Sequence, residues 1–189
     1  MLSVPYALFS QTSTTSMTVY KNIPELRTKT GNLGDIFYIK GHTNFGDGGE
    51  GNFIWKDIPA NDPRFNDNDG TIVRPVGSEN AGWFRLIDRR INVRYFGTIG
   101  FDENKIQKAI DFASKNADRT VPTNGVYFIN KTNAGTVVYI PAGNYKIKNA
   151  LILKNGVSIE GESLATTTLT ATGQADGNMI EMDAGVISG

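Results

Sequence analysis

The sequence predicts a mainly β protein in which a small β-rich module is followed by an amphipathic α-helix and a solenoid of short strands. Three observations carry this. Between residues 19 and 92, short β-branched and aromatic runs alternate with clusters of Gly, Pro, Asn and Asp. Ile106, Ala109, Ile110 and Ala113 follow the i, i+3, i+4, i+7 spacing of one helical face. After that helix, apolar runs begin at Val137, Val157 and Met179, at intervals of 20 and 22 residues with shorter runs between them. That period fits about three short strands per coil.

Taken in order, residues 1–18 form a docking segment and linker: "SVPYALFS" is apolar enough to dock on a partner, and "QTSTTSMT" is too rich in Ser and Thr to bury much surface. Residues 19–92 form the β-rich adaptor module. Within it "IPELRTKTG" predicts a short helix closed by Gly31 as a left-handed cap. "GDIFYIKG" and "GNFIWKD" predict two strands joined by the glycine-rich loop "FGDGGEG", and "TIVRPV" and "WFRLI" predict two more.

Residues 93–189 hold the helix and the coils. The helix is expected over 103–115, with Asp102 as N-cap and Phe101 stapled onto Ile106. An irregular β-sandwich would also give short runs at such spacing, but the helix in front favours a solenoid, whose exposed end needs a lid. "MIEMDAGVISG" offers no second lid, so the coils are expected to continue beyond residue 189 or to be covered by an assembly partner.

Composition narrows the classes. With Lys plus Arg and Asp plus Glu balanced at 19 each, nothing supplies the field that collects nucleic acid. No cysteine is present, which removes disulfides, thiolate metal sites and cysteine nucleophiles. No apolar run reaches the roughly 18 residues that a membrane helix needs, so no membrane insertion is expected.

The segments "VRYFGTIGFDENKIQKAIDFA", "TVVYIPAGNYKI" and "LILKNGVSIEGES" resemble the entry segment and first coils of the pectate-lyase-like, right-handed parallel β-helix proteins, in the form found in bacteriophage tailspikes and tail fibres. "LGDIFYIKGHTNFGDGGEGNFIWKD" with "GWFRLI" is similar to the small module that often precedes the helix in tailspikes. One departure is in the entry loop, where the family often carries an Asp pair and this chain has Asp102 followed by Glu103. The resemblance implies a structural and attachment role in a homotrimer on the virion tail or at an extracellular surface. Its partners would be other tail or surface proteins, through the N-terminal segment, and a polysaccharide. Alternatives are the N-terminal part of an exported polysaccharide lyase or glycoside hydrolase, and a non-catalytic carbohydrate-binding adhesin.

No cofactor or metal site is expected. "FGDGGEG" lacks the Gly-Lys-Ser/Thr of a phosphate loop, and "FNDNDG" would place Phe65 and Val76 at the first and twelfth positions of an EF-hand. His42 is the single histidine and has no triad pattern around it, so a structural role is expected. Trp55 and Trp83, in alternating strands, are expected in the core rather than as sugar platforms. Cleavage of a polysaccharide calls for paired carboxylates or a basic proton acceptor. No Arg or His follows Arg119, and among the carboxylates of the coils Glu160 and Glu162 stand two apart around Gly161 at an expected turn. These two are the catalytic candidates of the chain. In the resembling proteins the chemistry usually lies on later coils.

Overall fold

The computed structural model describes residues 17–59, 62–87, 90–97, 103–117, 136–173 and 177–183. The expected N-cap Asp102 and staple Phe101, and the docking segment before residue 17, lie outside the described residues.

The first part is a five-stranded sheet of β1 (Thr18–Tyr20), β2 (Ile36–Ile39), β3 (Gly51–Asp57), β4 (Ile72–Val73) and β5 (Ala81–Arg85), in the order β1-β2-β3-β5-β4. β1 runs parallel to β2, and the other pairs are antiparallel. The expected hairpin is β2 and β3, with Ile39 opposite Gly51 across the glycine-rich loop. Alternation gives the sheet two faces. On one, Ile39, Phe53, Trp55, Val73 and Trp83 pack under Ile23 and Leu26 of α1 (Ile23–Leu26). Trp55 and Trp83 sit opposite one another, with their rings edge to face at 4.9 Å, as core residues.

The expected end of α1 is corrected. The helix stops at Leu26, and Arg27 keeps right-handed helical angles. Gly31 is instead required by packing, because a Cβ there would stand 2.6 Å from the Trp83 ring. The N-terminal end follows the ordinary rule: the Asn22 side chain accepts from Glu25 N at 3.0 Å.

On the opposite face, Ile72 and Phe84 join Ile58 and Phe65 in a cluster that runs on through Ile91, Val93 and Phe96 into the second part. The two parts thus share apolar core. β6 (Arg90–Asn92) is followed by a 3-10 turn (Val93–Phe96) that Gly97 closes in a left-handed conformation, φ 78°. α2 (Glu103–Ala117) then buries Ile106, Ala109, Ile110 and Ala113, the face that the spacing predicts.

The strands after α2 are β7 (Thr136–Ile140), β8 (Gly143–Ile147), β9 (Leu151–Leu153), β10 (Val157–Gly161), β11 (Thr167–Ala171) and β12 (Ile180–Met182). β10 pairs with β7, β11 with β8 and β12 with β9, all parallel. This is a parallel β-helix with three strands per coil. Val138, Ile140, Tyr145, Ile147 and Leu151 point into its core and meet α2.

The repeat differs from the expected one. Thr136 pairs with Val157, Gly143 with Thr167 and Leu151 with Ile180, offsets of 21, 24 and 29 residues. The run at Met179 therefore closes the second coil rather than opening a third. The cause is the long connection between β11 and β12, which stretches the third side of the coil.

The first coil also needs its lower edges closed, since unpaired strand edges invite association. β6 pairs in parallel with β7, Ile91 opposite Val138. At β9 a side chain replaces a strand: Gln107 of α2 accepts from Ile152 N at 2.8 Å and donates to Ile152 O at 3.0 Å.

Candidate functional site

The glycine-rich loop is built around its own carboxylate. Asp47 is buried, and its two oxygens accept four backbone N–H bonds, from His42 and Gly49 on Oδ1 and from Thr43 and Asn44 on Oδ2, at 2.8–3.0 Å. Burial pushes this carboxyl up, but the four donors together outweigh it and hold it below the ordinary range. Gly46 and Gly48 take positive φ, 69° and 85°. The loop is thus a filled turn with its anion already bound, and its cradle leaves no place for a phosphate.

His42 is structural, as expected. Its ring is buried; Nε2 lies 2.7 Å from Asp69 O and Nδ1 2.9 Å from Thr43 Oγ1. Asp69 and Asp67 in turn hold Arg27. The carboxylates of "FNDNDG" are thereby committed to a turn and a cation. Among the described residues no three His, Cys, Asp or Glu side chains come together in a group that could hold a metal ion.

Sequence reasoning missed the residue that joins the two parts. Arg85, at the end of β5, is completely buried, and among the described residues its hydrogen bonds go to backbone carbonyls. Its Nε donates to Gly70 O, Nη1 to Glu50 O and Nη2 to Gly49 O, each at 2.9 Å. Its guanidinium lies between the rings of Phe53 and Tyr95, 4.5 and 4.1 Å from their centroids. Burial lowers its pKa to about 10, so it stays charged near neutrality. The available signal was alternation: a strand reading "WFR" with Trp83 inward also puts Arg85 inward. Beside it, Arg94 donates through Nη2 to Ala142 O at 2.8 Å and packs on Gly48.

Glu160 and Glu162 stand at the end of β10, close to Tyr139 of β7. Glu160 accepts from Arg90 Nη1 at 2.8 Å, and the same guanidinium covers the Tyr139 ring at 4.3 Å. Glu162 Oε2 accepts from Ala142 N at 2.7 Å. Burial, then the nearby Glu162 carboxylate, push the Tyr139 hydroxyl above its ordinary range. Asn92, Tyr139 and Glu160 are consecutive partners across β6, β7 and β10, and the Arg90–Glu160 pair over the Tyr139 ring bridges the three strands on the outer face. Both carboxylates are partnered, one by a cation and one by a backbone donor. What the arrangement offers chemically is an exposed strip of Arg, Tyr and Glu.

A small mixed sheet that shares apolar core with a helix-lidded parallel β-helix defines a β-helix protein with an N-terminal adaptor. Residues 91–189, more than half of the chain, match the family described as rhamnogalacturonase A/epimerase, pectate lyase-like, and the chain belongs to that family. Residues 19–88 match the phage tail protein small four-stranded beta-sheet domain.

Among solved structures, the enzymatically active domain of tailspike protein 2 of bacteriophage CBA120 is similar over 88% of this chain and 21% of its own, with TM-score 0.62 and 22% identity. WceF of Pantoea stewartii, a glycan biofilm modifying enzyme with a tailspike-like parallel β-helix fold, is similar over 83% and 22%, with TM-score 0.58 and 17% identity. The tailspike gp49 of Acinetobacter baumannii bacteriophage Fri1, a capsular polysaccharide depolymerase, is similar over 77% and 23%, with TM-score 0.55 and 16% identity. At these identities the likeness is one of fold, and the chain spans about a fifth of the length of those proteins. No curated protein matches the chain.

Proposed function

We propose that the chain is the N-terminal portion of a trimeric phage-type tailspike or tail fibre in the virion tail. Its sheet module serves as an adaptor and carries the start of a glycan-directed β-helix. The observation that carries this reading is the junction. The residues that match a phage tail domain and those that match a pectate-lyase-like β-helix share one apolar core, and Arg85 binds both. Adaptor and β-helix are therefore packed on one another, as an attachment rod requires. Other tail proteins would meet residues 1–18, and a polysaccharide would meet the coils. Light scattering of the full-length product tests this reading: a trimer supports it, and a monomer at all concentrations overturns it.

A second reading, a polysaccharide lyase or hydrolase, is favoured by the family description and by the enzymes named among the structural neighbours. Glu160 and Glu162 are then the carboxylates that this chain contributes. Acidic polysaccharides incubated with the full-length product give unsaturated-sugar absorbance for a lyase and reducing ends alone for a hydrolase. Full turnover by a Glu160→Gln/Glu162→Gln double variant would move the chemistry to other coils. Glycan binding without any turnover would instead support an adhesin.

A further inference from the structure

The corner between β9 and β10 carries a reactive dipeptide. Asn155 and Gly156 form an exposed turn, closed by a bond from Val157 N to Lys154 O at 3.2 Å, with Gly156 in the left-handed region at φ 74°. Glycine takes that angle without strain. The closing bond uses neither Gly156 N nor the Asn155 side chain, and among the described residues neither group has a hydrogen-bond partner.

Asn155 is also the only described asparagine that precedes a glycine; Asn124, which does so too, lies outside the described residues. Its nearest counterparts in the coils are held. Asn144 precedes Tyr145 and accepts from Thr170 Oγ1 at 2.8 Å, and Asn149 precedes Ala150 and donates to Glu103 Oε1 at 2.8 Å. In the adaptor, Asn68 Oδ1 accepts three backbone N–H bonds.

We infer that Asn155 is a self-modification site, at which the chain deamidates with water as the co-reactant. The Gly156 amide gives its proton to solvent base, and its nitrogen attacks Cγ of Asn155. The N–Cγ bond forms, the Cγ–Nδ2 bond breaks, and ammonia leaves with a proton returned from solvent, so that a five-membered succinimide remains. Water then opens one imide carbonyl or the other, giving an aspartate or an isoaspartate, with no net oxidation or reduction. Glycine permits the attack because no Cβ crowds its nitrogen.

The new charge arises beside a contact of the lid. Lys154 Nζ pairs with Asp111 Oδ1 of α2 at 3.1 Å, and the same oxygen accepts from Gln107 Nε2, whose side chain closes β9. A carboxylate at position 155 competes with Asp111 for Lys154, and the isoaspartate also lengthens the main chain at the corner. Modification therefore weakens the contact between α2 and the coils as the protein ages.

Peptide mapping by mass spectrometry of the full chain, incubated folded in neutral and in mildly alkaline buffer, tests this. The Asn155 peptide is expected to gain the mass of an NH2-to-OH exchange, to resolve into two products of one mass, and to convert faster in the alkaline sample, where the amide loses its proton more readily. Asn144 and Asn149 should keep their amides. Gly156→Ala and Asn155→Gln should each abolish the change, and the second does so without straining the left-handed position. Asn155→Asp, which supplies the charge directly, should melt below the wild type in low salt and with it in high salt; equal midpoints in both would remove the effect on the lid. An Asn155 amide that survives in the folded chain but is lost from the urea-unfolded chain would show that the turn withholds the attack and overturn the site. Equal conversion in Gly156→Ala would overturn the succinimide route.

Discussion

The guanidinium of Arg85 lies 4.1 Å from the centre of the Tyr95 ring, so a residue of the adaptor sheet is held by the first turn of the β-helix. Three carbonyls from two adaptor loops complete its shell. Arg85→Met keeps length and packing but leaves those carbonyls buried without donors. It is expected to cost about 4 kcal/mol, given about 1–3 kcal/mol for each orphaned group. Arg85→Lys should recover only part, because an ammonium cannot span three diverging acceptors. Urea unfolding measures both, and an Arg85→Met midpoint equal to that of the wild type would refute the junction.

Asp47→Asn should destabilise the chain by about 2–3 kcal/mol at neutral pH, since an amide oxygen replaces two charged acceptor atoms and its NH2 faces donors. The carboxyl is held below its unfolded value, so its stabilisation is full above about pH 4 and fades as pH falls through the folded pKa. Unfolding midpoints of wild type and variant should accordingly converge in acid. A gap that stays constant down to pH 2 would contradict the linkage.

Gly46 and Gly48 both have positive φ but differ in surroundings. A Cβ at Gly46 meets nothing, whereas one at Gly48 runs into the Arg94 side chain. Gly46→Ala should therefore cost only the conformational strain, about 1 kcal/mol. Gly48→Ala should cost more, because Arg94 must release its bond to Ala142. Differential scanning calorimetry of the two variants orders them.

Gln107→Leu removes both bonds to the Ile152 backbone and should cost about 2 kcal/mol. The specific sign is faster hydrogen exchange at the Ile152 amide, with the amides of β10 little changed. Equal protection in the variant would show that the side chain does not close this edge.

Glu160→Gln, by contrast, should change stability by less than about 1 kcal/mol, and the change should shrink in high salt, because its pair with Arg90 is half-exposed on both sides. A larger, salt-independent loss would mean that the outer strip carries the coils.

Much of this architecture was legible in the chain. α2 showed itself through Ile106, Ala109, Ile110 and Ala113, because a helix repeats its buried face within a few residues. Each β-helix strand appeared as its own apolar run for the same reason. The pairing was not legible: Met179 lies 22 residues after Val157, yet its strand pairs with β9, because strand partnership depends on how far each corner loop reaches. Gly31 looked like a helix cap, and only the Trp83 ring above it shows otherwise. At the candidate site, the sequence could name Glu160 and Glu162 but not their partners Arg90 and Ala142, which stand 70 and 20 positions away. Arg85 and Asp47 escaped because charged residues are ordinarily taken as exposed, and their compensation comes from backbone atoms that carry no sequence signature.

The pairing of β6 with β7 has a kinetic consequence. Arg90 lies opposite Val137 with all of α2 between them, whereas the second coil closes on the first across 21 to 29 residues. Doubling a loop adds only about 0.6 kcal/mol of closure entropy, but the first closure also lacks any template, while each later strand lands on an edge already in place. Coil growth should therefore be slow to begin, rapid to continue and polarised from the amino end, the order in which a ribosome delivers the chain. Variants that weaken β6 or α2 would then act as folding-rate mutants, while those in the second coil would chiefly hasten unfolding.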